Sequence, residues 1–283
     1  MSEPTPKKRR PRDHGRYQNP TPEVQTTTLW DYPSQHYGDE NQGDKTYAGV
    51  TPAYILWNLI NRYTKEKDLV VDPMCGSGTT LDVARDLGRR ALGYDLAPTC
   101  PDIFRADARK LPLEDEKATF VFVDPPYSTH IEYSDDPRCI GKLDAGDPAY
   151  YDAMEQVSKE IHRILRPERY MALYCSDSFR KGKPFCPIGF RLFAIMENYF
   201  EPVDIIAVTR RNRTLMRNHY HTEALAGNYY LRGFNYLFIM RKSNVSERRI
   251  EIAQNVIRAE EEYRHGKART GSLAELMEDL QRD

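Results

Sequence analysis

The chain has 283 residues, 40% hydrophobic and 29% charged, with 41 basic side chains against 42 acidic ones. That length can bury one sizeable core with appendages, and the mix is that of a soluble globular protein. No stretch approaches the roughly 18 uninterrupted apolar residues of a membrane span. A near-neutral total does not announce a nucleic-acid partner, so only local charge clusters could.

Five cysteines, at 75, 100, 139, 175 and 186, form no Cys-x-x-Cys pair. That spacing suits a reducing cytoplasm and argues against a disulfide framework or a structural zinc site, so the expected location is cytoplasmic and no metal is expected. The first 16 residues are polar and basic without an apolar core, unlike a secretory signal.

In chain order, residues 1–28 are too poor in apolar side chains to offset ordering entropy and are expected to be a disordered tail. Lys7, Lys8, Arg9, Arg10, Arg12 and Arg16 make it basic, either as a solvated tail or as a phosphate-binding arm. From Pro52 the pattern alternates. Residues 53–63 carry Ile55, Leu56, Leu59, Ile60 and Tyr63 at helical spacing, and Leu69 to Val71 is a short apolar run ending at Asp72. A glycine turn and a helix over 79–87 follow, then strands over 91–95, 103–107 and 118–124. A long helix over 150–165 stops before Pro167. Then come a strand over 170–175, a helix over 190–200, and strands over 203–208 and 235–240. Such alternation implies α/β with a mostly parallel sheet, whose right-handed crossovers put the strand-end aspartates on one rim. Beyond residue 243 the composition becomes charged, with helical stripes over 246–266 and 272–280. This 244–283 extension is expected to be a peripheral helical element or a partner contact.

Asp72-Pro-Met-Cys-Gly-Ser-Gly-Thr-Thr80 lies between a predicted strand and a predicted helix. Gly76 and Gly78 permit a tight turn close to a ligand, and the following helix offers free N–H groups. No lysine follows as in a P-loop, and residues 76–81 do not spell the nicotinamide fingerprint. Asp95 ends the next strand, where a carboxylate meets ribose hydroxyls in Rossmann-like folds, and Asp107 ends the one after. With these residues the chain resembles the class I methyltransferases over about residues 45–242. The resemblance implies a Rossmann-like fold with a mostly parallel seven-stranded sheet and helices on both faces. It also implies S-adenosyl-L-methionine as cofactor, held by Asp72, Pro73, Cys75, Gly76, Ser77, Gly78, Thr79 and Thr80, by Asp95 at the ribose, and by Asp107 and Ala108 at the adenine.

Asp124-Pro125-Pro126-Tyr127 follows the strand Phe120 to Val123. An exocyclic amine is a poor nucleophile because its lone pair is delocalised into the ring, and hydrogen-bond acceptors can localise that pair. Asp124 supplies a carboxylate, Pro125 a carbonyl without a competing N–H, and the two prolines stiffen the segment. Tyr127 offers a face on which an extruded base can stack. The tetrapeptide resembles that of amino-methyltransferases acting on DNA adenine N6, cytosine N4, or guanine N2 in tRNA. A C5-cytosine enzyme would need a cysteine after the prolines, where Tyr127 stands.

Two insertions are candidates for target recognition within a methyltransferase domain spanning 29–243. Residues 128–147 contain Arg138 and Lys142. Residues 210–233 open with Arg210, Arg211, Arg213, Arg217, Asn218 and Tyr220, a set suited to phosphates, base edges and stacking. The segment from Thr26 to Pro52 resembles the region that wraps over the cofactor in DNA amino-methyltransferases. Its Trp30 and Asp31 either flank the methionine end or serve structure. Fewer than about 50 residues precede the catalytic fold, against the long RNA-binding domain of many tRNA guanine-N2 enzymes. DNA is therefore expected ahead of RNA, and adenine N6 slightly ahead of cytosine N4. The alternatives are a tRNA guanine-N2 enzyme and a non-catalytic cofactor-binding subunit. A homodimer or heteromeric partner would use the C-terminal helices.

Overall fold

The computed structural model describes residues 19–179, 184–210 and 215–265. In chain order its elements are β1 (Leu29–Trp30), α1 (Ala53–Tyr63), β2 (Leu69–Asp72), α2 (Thr79–Asp86), β3 (Arg90–Asp95), β4 (Ile103–Arg105) and β5 (Ala118–Val123). A 3-10 turn (Ile140–Lys142), α3 (Pro148–Ile164), β6 (Leu165–Cys175), α4 (Ile188–Met196), β7 (Glu201–Thr209), α5 (Asn218–Ala226), β8 (Phe234–Arg241) and α6 (Asn244–Arg264) complete them.

All eight strands form one sheet in the order β1-β7-β8-β6-β5-β2-β3-β4. Every pairing is parallel except the two made by β8, which runs antiparallel to β6 and to β7. This is the Rossmann-like, mostly parallel sheet expected from the sequence, with one strand more than the seven anticipated. The extra strand is β1, where Leu29 and Trp30 pair with Ala207 and Val208 at the sheet edge. Two residues are too short a run to stand out by periodicity.

Strand side chains alternate between two cores, as a period of two requires. Val121, Val123, Met171, Leu173, Phe238 and Met240 join Tyr150, Val157 and Ile161 of α3 and Leu192 of α4 on one face. Phe120, Phe122, Ala172, Leu237 and Ile239 join Ile55, Leu56 and Leu59 of α1 with Val83 and Ala84 of α2 on the other. Because both faces are covered, β5 is buried at all six positions, which is why it reads as a continuous apolar run rather than an alternating one.

The chain departs from the expected elements in three places. Residues 19–28 run mostly exposed along the fold and are tied to it by hydrogen bonds: Tyr54 donates to the Pro20 carbonyl, the Gln25 amide to Asn58 Oδ1, and the Ala207 amide to the Thr28 carbonyl. Residues 1–18 of the expected tail lie outside the described residues. Helix α3 ends at Ile164, ahead of Pro167, but β6 begins at once and bulges between its pairings with Ala118 and Phe120. The segment 210–233 contains helix α5, with only Ala224 buried. Helix α6 covers the start of the C-terminal extension, of which residues 266–283 lie outside the described residues. Among the described residues no helix is long and apolar enough to cross a membrane.

Candidate cofactor cleft and active site

The chain runs from β2 out to β3 and β4 on one side, and takes up β5 on the other side of β2. Ligands bind α/β sheets beyond the strand C-termini at such a reversal. A cleft of about 560 Å³, counting its open mouth, lies there, and Pro73, Met74, Asp95, Leu96, Ala106, Asp107, Ala108, Asp124 and Pro126 line it. The carboxylates that sequence spacing put on one rim therefore share one cavity.

Most of the glycine loop shapes this cleft from beneath rather than lining it. Asp72 is buried and accepts from Thr80 Oγ1 at 2.5 Å and from the Met74 amide at 3.0 Å, bracing the loop across its base. Burial pushes its carboxyl up to about 7, with the Thr80 and Met74 bonds opposing the rise. Cys75, Ser77, Thr79 and Thr80 are buried as well. Gly78, at φ 82°, takes the left-handed conformation that turns the loop into α2. Of the loop residues expected to hold the cofactor, Pro73 lines the cleft wall, while Asp72, Cys75, Gly76, Ser77, Gly78, Thr79 and Thr80 form the turn next to it. Met74, not expected, lies beside it.

Asp95 is the link between loop and cleft. Its Oδ2 accepts from the Gly76 amide at 3.0 Å and its Oδ1 from the Ala97 amide at 2.9 Å. Each oxygen keeps a second lone pair for a ligand hydroxyl. Burial raises its pKa against those amide bonds. Asp107 is held by Arg109, at 2.9 Å from Nε and 2.7 Å from Nη2. Burial pushes the Asp107 carboxyl up, but the Arg109 bonds and charge outweigh that and hold it below the ordinary carboxylate range. A ligand amino group at Asp107 would share it with a guanidinium already in place.

Asp124 stands just past β5 at the floor of the cleft. Its Oδ2 accepts from Thr51 Oγ1 at 2.6 Å, and its Oδ1 accepts from the Tyr127 hydroxyl. Burial pushes its carboxyl up to about 7, opposed by both hydroxyl bonds. Pro126 accepts from the buried Tyr150 hydroxyl at 2.8 Å, which anchors the second proline to α3. Pro125 is buried, and Tyr127 is partly buried against the α3 core with its hydroxyl on Asp124. The Tyr127 ring therefore does not line the cleft in this conformation, whereas its hydroxyl orients the carboxylate that does.

Two segments outside the sheet close the cleft. Residues 42–51 run across the glycine loop: the Gly43 amide donates to Asp82 Oδ2, the Asp44 amide to the Ser77 carbonyl, and Tyr47 reaches the cleft. The wrapping expected of the 26–52 segment thus falls to Tyr47 and Thr51. Trp30 is buried at the sheet edge with its indole N–H on the Thr27 carbonyl, and Asp31 accepts from Thr209, so this pair serves structure. The second segment is 128–147, expected as a recognition insertion. Ser128 Oγ accepts from the Ala145 amide, Arg138 pairs with Asp136, and Lys142 donates to the Asp135 carbonyl. So tied, it contributes Tyr133, Ser134, Cys139 and Ile140 to the cleft wall. None of these side chains had a sequence signal; only their proximity in the fold marks them.

The basic segment is less organised around the cleft. Arg210 is at the same rim, with its amide on the Gly233 carbonyl and Nη1 3.3 Å from Ser176 Oγ just past β6. Arg217 caps α5 and is exposed, as is Asn218, while Tyr220 is partly exposed beside His219. Arg211 and Arg213 lie outside the described residues. Among the described residues no group of three or more His, Cys, Asp or Glu is placed to hold a metal ion.

Residues 2–105 match the model of a DNA methylase family of the N6/N4 type. Over 44 residues the chain is 52% identical to the type II methyltransferase M2.LlaDCHI of Lactococcus lactis subsp. cremoris, covering 16% of each chain. The same identity and coverage relate it to the type II methyltransferase M2.DpnII of Streptococcus pneumoniae. The type II methyltransferase M.HindIII of Haemophilus influenzae is 43% identical over 53 residues, 18% of this chain and 17% of that one. The chain thus spans about a sixth of the length of these relatives. A SAM-dependent methyltransferase structure from Methanosarcina mazei aligns at 15% identity and a TM-score of 0.42, over 65% of this chain and 97% of that one.

Proposed function

Taking this chain as a class I methyltransferase-fold protein related to the N6/N4 DNA methylases, we propose that it moves a methyl group from S-adenosylmethionine to an exocyclic base amine in DNA, adenine N6 ahead of cytosine N4. One observation carries the reading: Asp124, Asp95 and Asp107 line a single cleft, with Asp124 held by hydroxyls on two sides. The donor set fits the cofactor, since both Asp95 oxygens keep a lone pair free for ribose hydroxyls and Asp107 offers an acceptor for an amino group. Its acceptors are also spaced from the ribose position of Asp95 to the adenine position of Asp107. When bound, the cofactor supplies an electrophilic methyl on a sulfonium, so no covalent enzyme intermediate is needed.

Thr51 and Tyr127 aim the Asp124 carboxylate, and the ionised form is the better acceptor for an amine hydrogen. As the amine attacks, Asp124 and the Pro125 carbonyl withdraw its hydrogens from the ring plane and localise its lone pair. Arg210, Arg217, Asn218 and Tyr220 hold the duplex backbone beside the rim, and Arg211 and Arg213, which lie outside the described residues, add positive charge to the same segment. Adenine ranks ahead of cytosine because the tetrapeptide begins with Asp, as is commoner among adenine enzymes of the resembled family.

The deciding experiment is transfer from radiolabelled cofactor to genomic DNA and to total tRNA, followed by nucleoside analysis. N6-methyladenine in DNA is expected. N4-methylcytosine would move the target base, and label confined to tRNA would replace DNA by RNA. Cofactor binding without transfer to either polymer would leave a non-catalytic subunit.

A further inference from the structure

Tyr47 and Tyr133 come from the two segments that lie outside the sheet, yet they meet over the cleft with ring centroids 6.1 Å apart and planes tilted by 33°. Both line the cavity that contains Asp95 and Asp124. Neighbouring glycines make room for both rings. A Cβ on Gly76 would stand 2.9 Å from the Tyr47 ring, and one on Gly141 would stand 3.1 Å from the Tyr133 ring. Either ring would have to shift if its glycine gained a side chain.

The electrostatics of this corner suit a cation. Burial and the Asp95 and Asp124 charges raise the Tyr47 phenol, while burial and Asp124 push the Tyr133 phenol up to about 12. Both phenols therefore stay neutral, with Tyr47 under the influence of both carboxylates and Tyr133 of Asp124. Aromatic faces of this kind attract onium groups, most strongly where water is excluded. The rings share one cavity with Asp95 and Asp124, the carboxylates proposed above for the ribose and the amine, so a charged sulfur carried between those two groups would come near them.

We infer that Tyr47 and Tyr133 together seat the sulfonium of the cofactor, so that the cleft favours the charged methyl donor over its neutral demethylated product. This rests on the cofactor reading above and adds to it a means of product release: transfer removes the positive charge that the aromatic pair and the carboxylates hold.

The test is calorimetric binding by the full chain at pH 8 of S-adenosylmethionine, of S-adenosylhomocysteine, and of sinefungin, whose ammonium carries the charge without a transferable methyl. Replacing both rings (Tyr47→Leu with Tyr133→Leu) is expected to cut the preference for the two charged ligands over the neutral one by about threefold to tenfold. The corresponding Phe variants, which keep the rings, are expected to retain it. Should the double variant fail to fold by circular dichroism, the single Leu variants carry the same comparison with smaller losses. An unchanged ratio in folded Leu variants overturns the inference while leaving the cofactor reading intact. Binding of none of the three ligands by the unmodified chain overturns both.

Discussion

The two halves of the rim are built differently. Around β2, β3, β4 and β5 every functional carboxylate already has protein partners: Asp72 with Thr80, Asp95 with the Gly76 and Ala97 amides, Asp107 with Arg109, and Asp124 with Thr51 and Tyr127. Around β6, β7 and β8 the rim carries an exposed helix, α5, and apolar side chains in water, among them Met216, Leu225 and Tyr230. A cofactor of one fixed shape rewards a pre-organised cleft. A polymer that must be bent or opened favours a surface whose groups are not yet committed. On the proposed function, cofactor recognition and polymer recognition would be divided between the two sides of β5.

The largest effect that could break this division is at Asp124. Asp124→Ala should lower the single-turnover methylation rate by at least about a hundredfold, since it removes the acceptor at the reacting amine. A variant that folds and still methylates at a tenth of the normal rate would place the chemistry elsewhere. Next, Asp72→Ala should leave Thr80 and the Met74 amide without their buried acceptor. That costs about 1–3 kcal/mol in stability by denaturant titration, with a weaker cofactor affinity. Normal stability would mean that the loop does not depend on this brace.

A pH series sharpens the comparison. Asp124 has a folded-state pKa of about 7, raised by burial above that of a carboxyl in the unfolded chain. Its protonated form favours the fold, so its contribution is present in full below the unfolded pKa and is lost as pH rises through about 7. Asp124→Asn should therefore raise the melting temperature more at pH 8 than at pH 5. In the unmodified chain, cationic S-adenosylmethionine should bind several-fold more tightly at pH 8 than at pH 6, because it favours the ionised carboxylate. Calorimetry showing the reverse trend would remove Asp124 from the cation's surroundings. The smallest effect belongs to the open half of the rim. Arg210→Ala with Arg217→Ala should weaken duplex DNA binding by about twofold to tenfold and flatten its salt dependence, while cofactor affinity stays unchanged. Loss of cofactor affinity instead would tie these arginines to the closed half.

Much of this was legible in the chain itself, for identifiable reasons. Continuous apolar runs such as Phe120 to Val123 are the mark of strands covered on both faces, and each is followed by an acidic residue at the rim. Local pattern is enough for α1, β2, α2 and β5 because their neighbours in sequence decide their structure. The two-residue β1 and the exposed α5 were not legible, since one is too short for a period and the other has almost no apolar face. The glycine loop was legible as a site but not in its parts: that Pro73 and Met74 face the cleft while Asp72, Ser77 and Thr80 brace it depends on which way a folded loop turns.

The order of acidic strand ends, the proline tetrapeptide and the glycine turn were thus determined by the sequence alone, because each is a local arrangement of residues along one segment. Only the tertiary structure decided that Thr51 would hold Asp124 from 73 residues away, that residues from 128–147 would wall the cleft, and that Tyr47 and Tyr133 would meet. Those contacts join segments that share no periodicity or motif. They exist because the parallel sheet brings the C-terminal ends of β2, β3 and β5 to one rim, where segments distant in sequence meet.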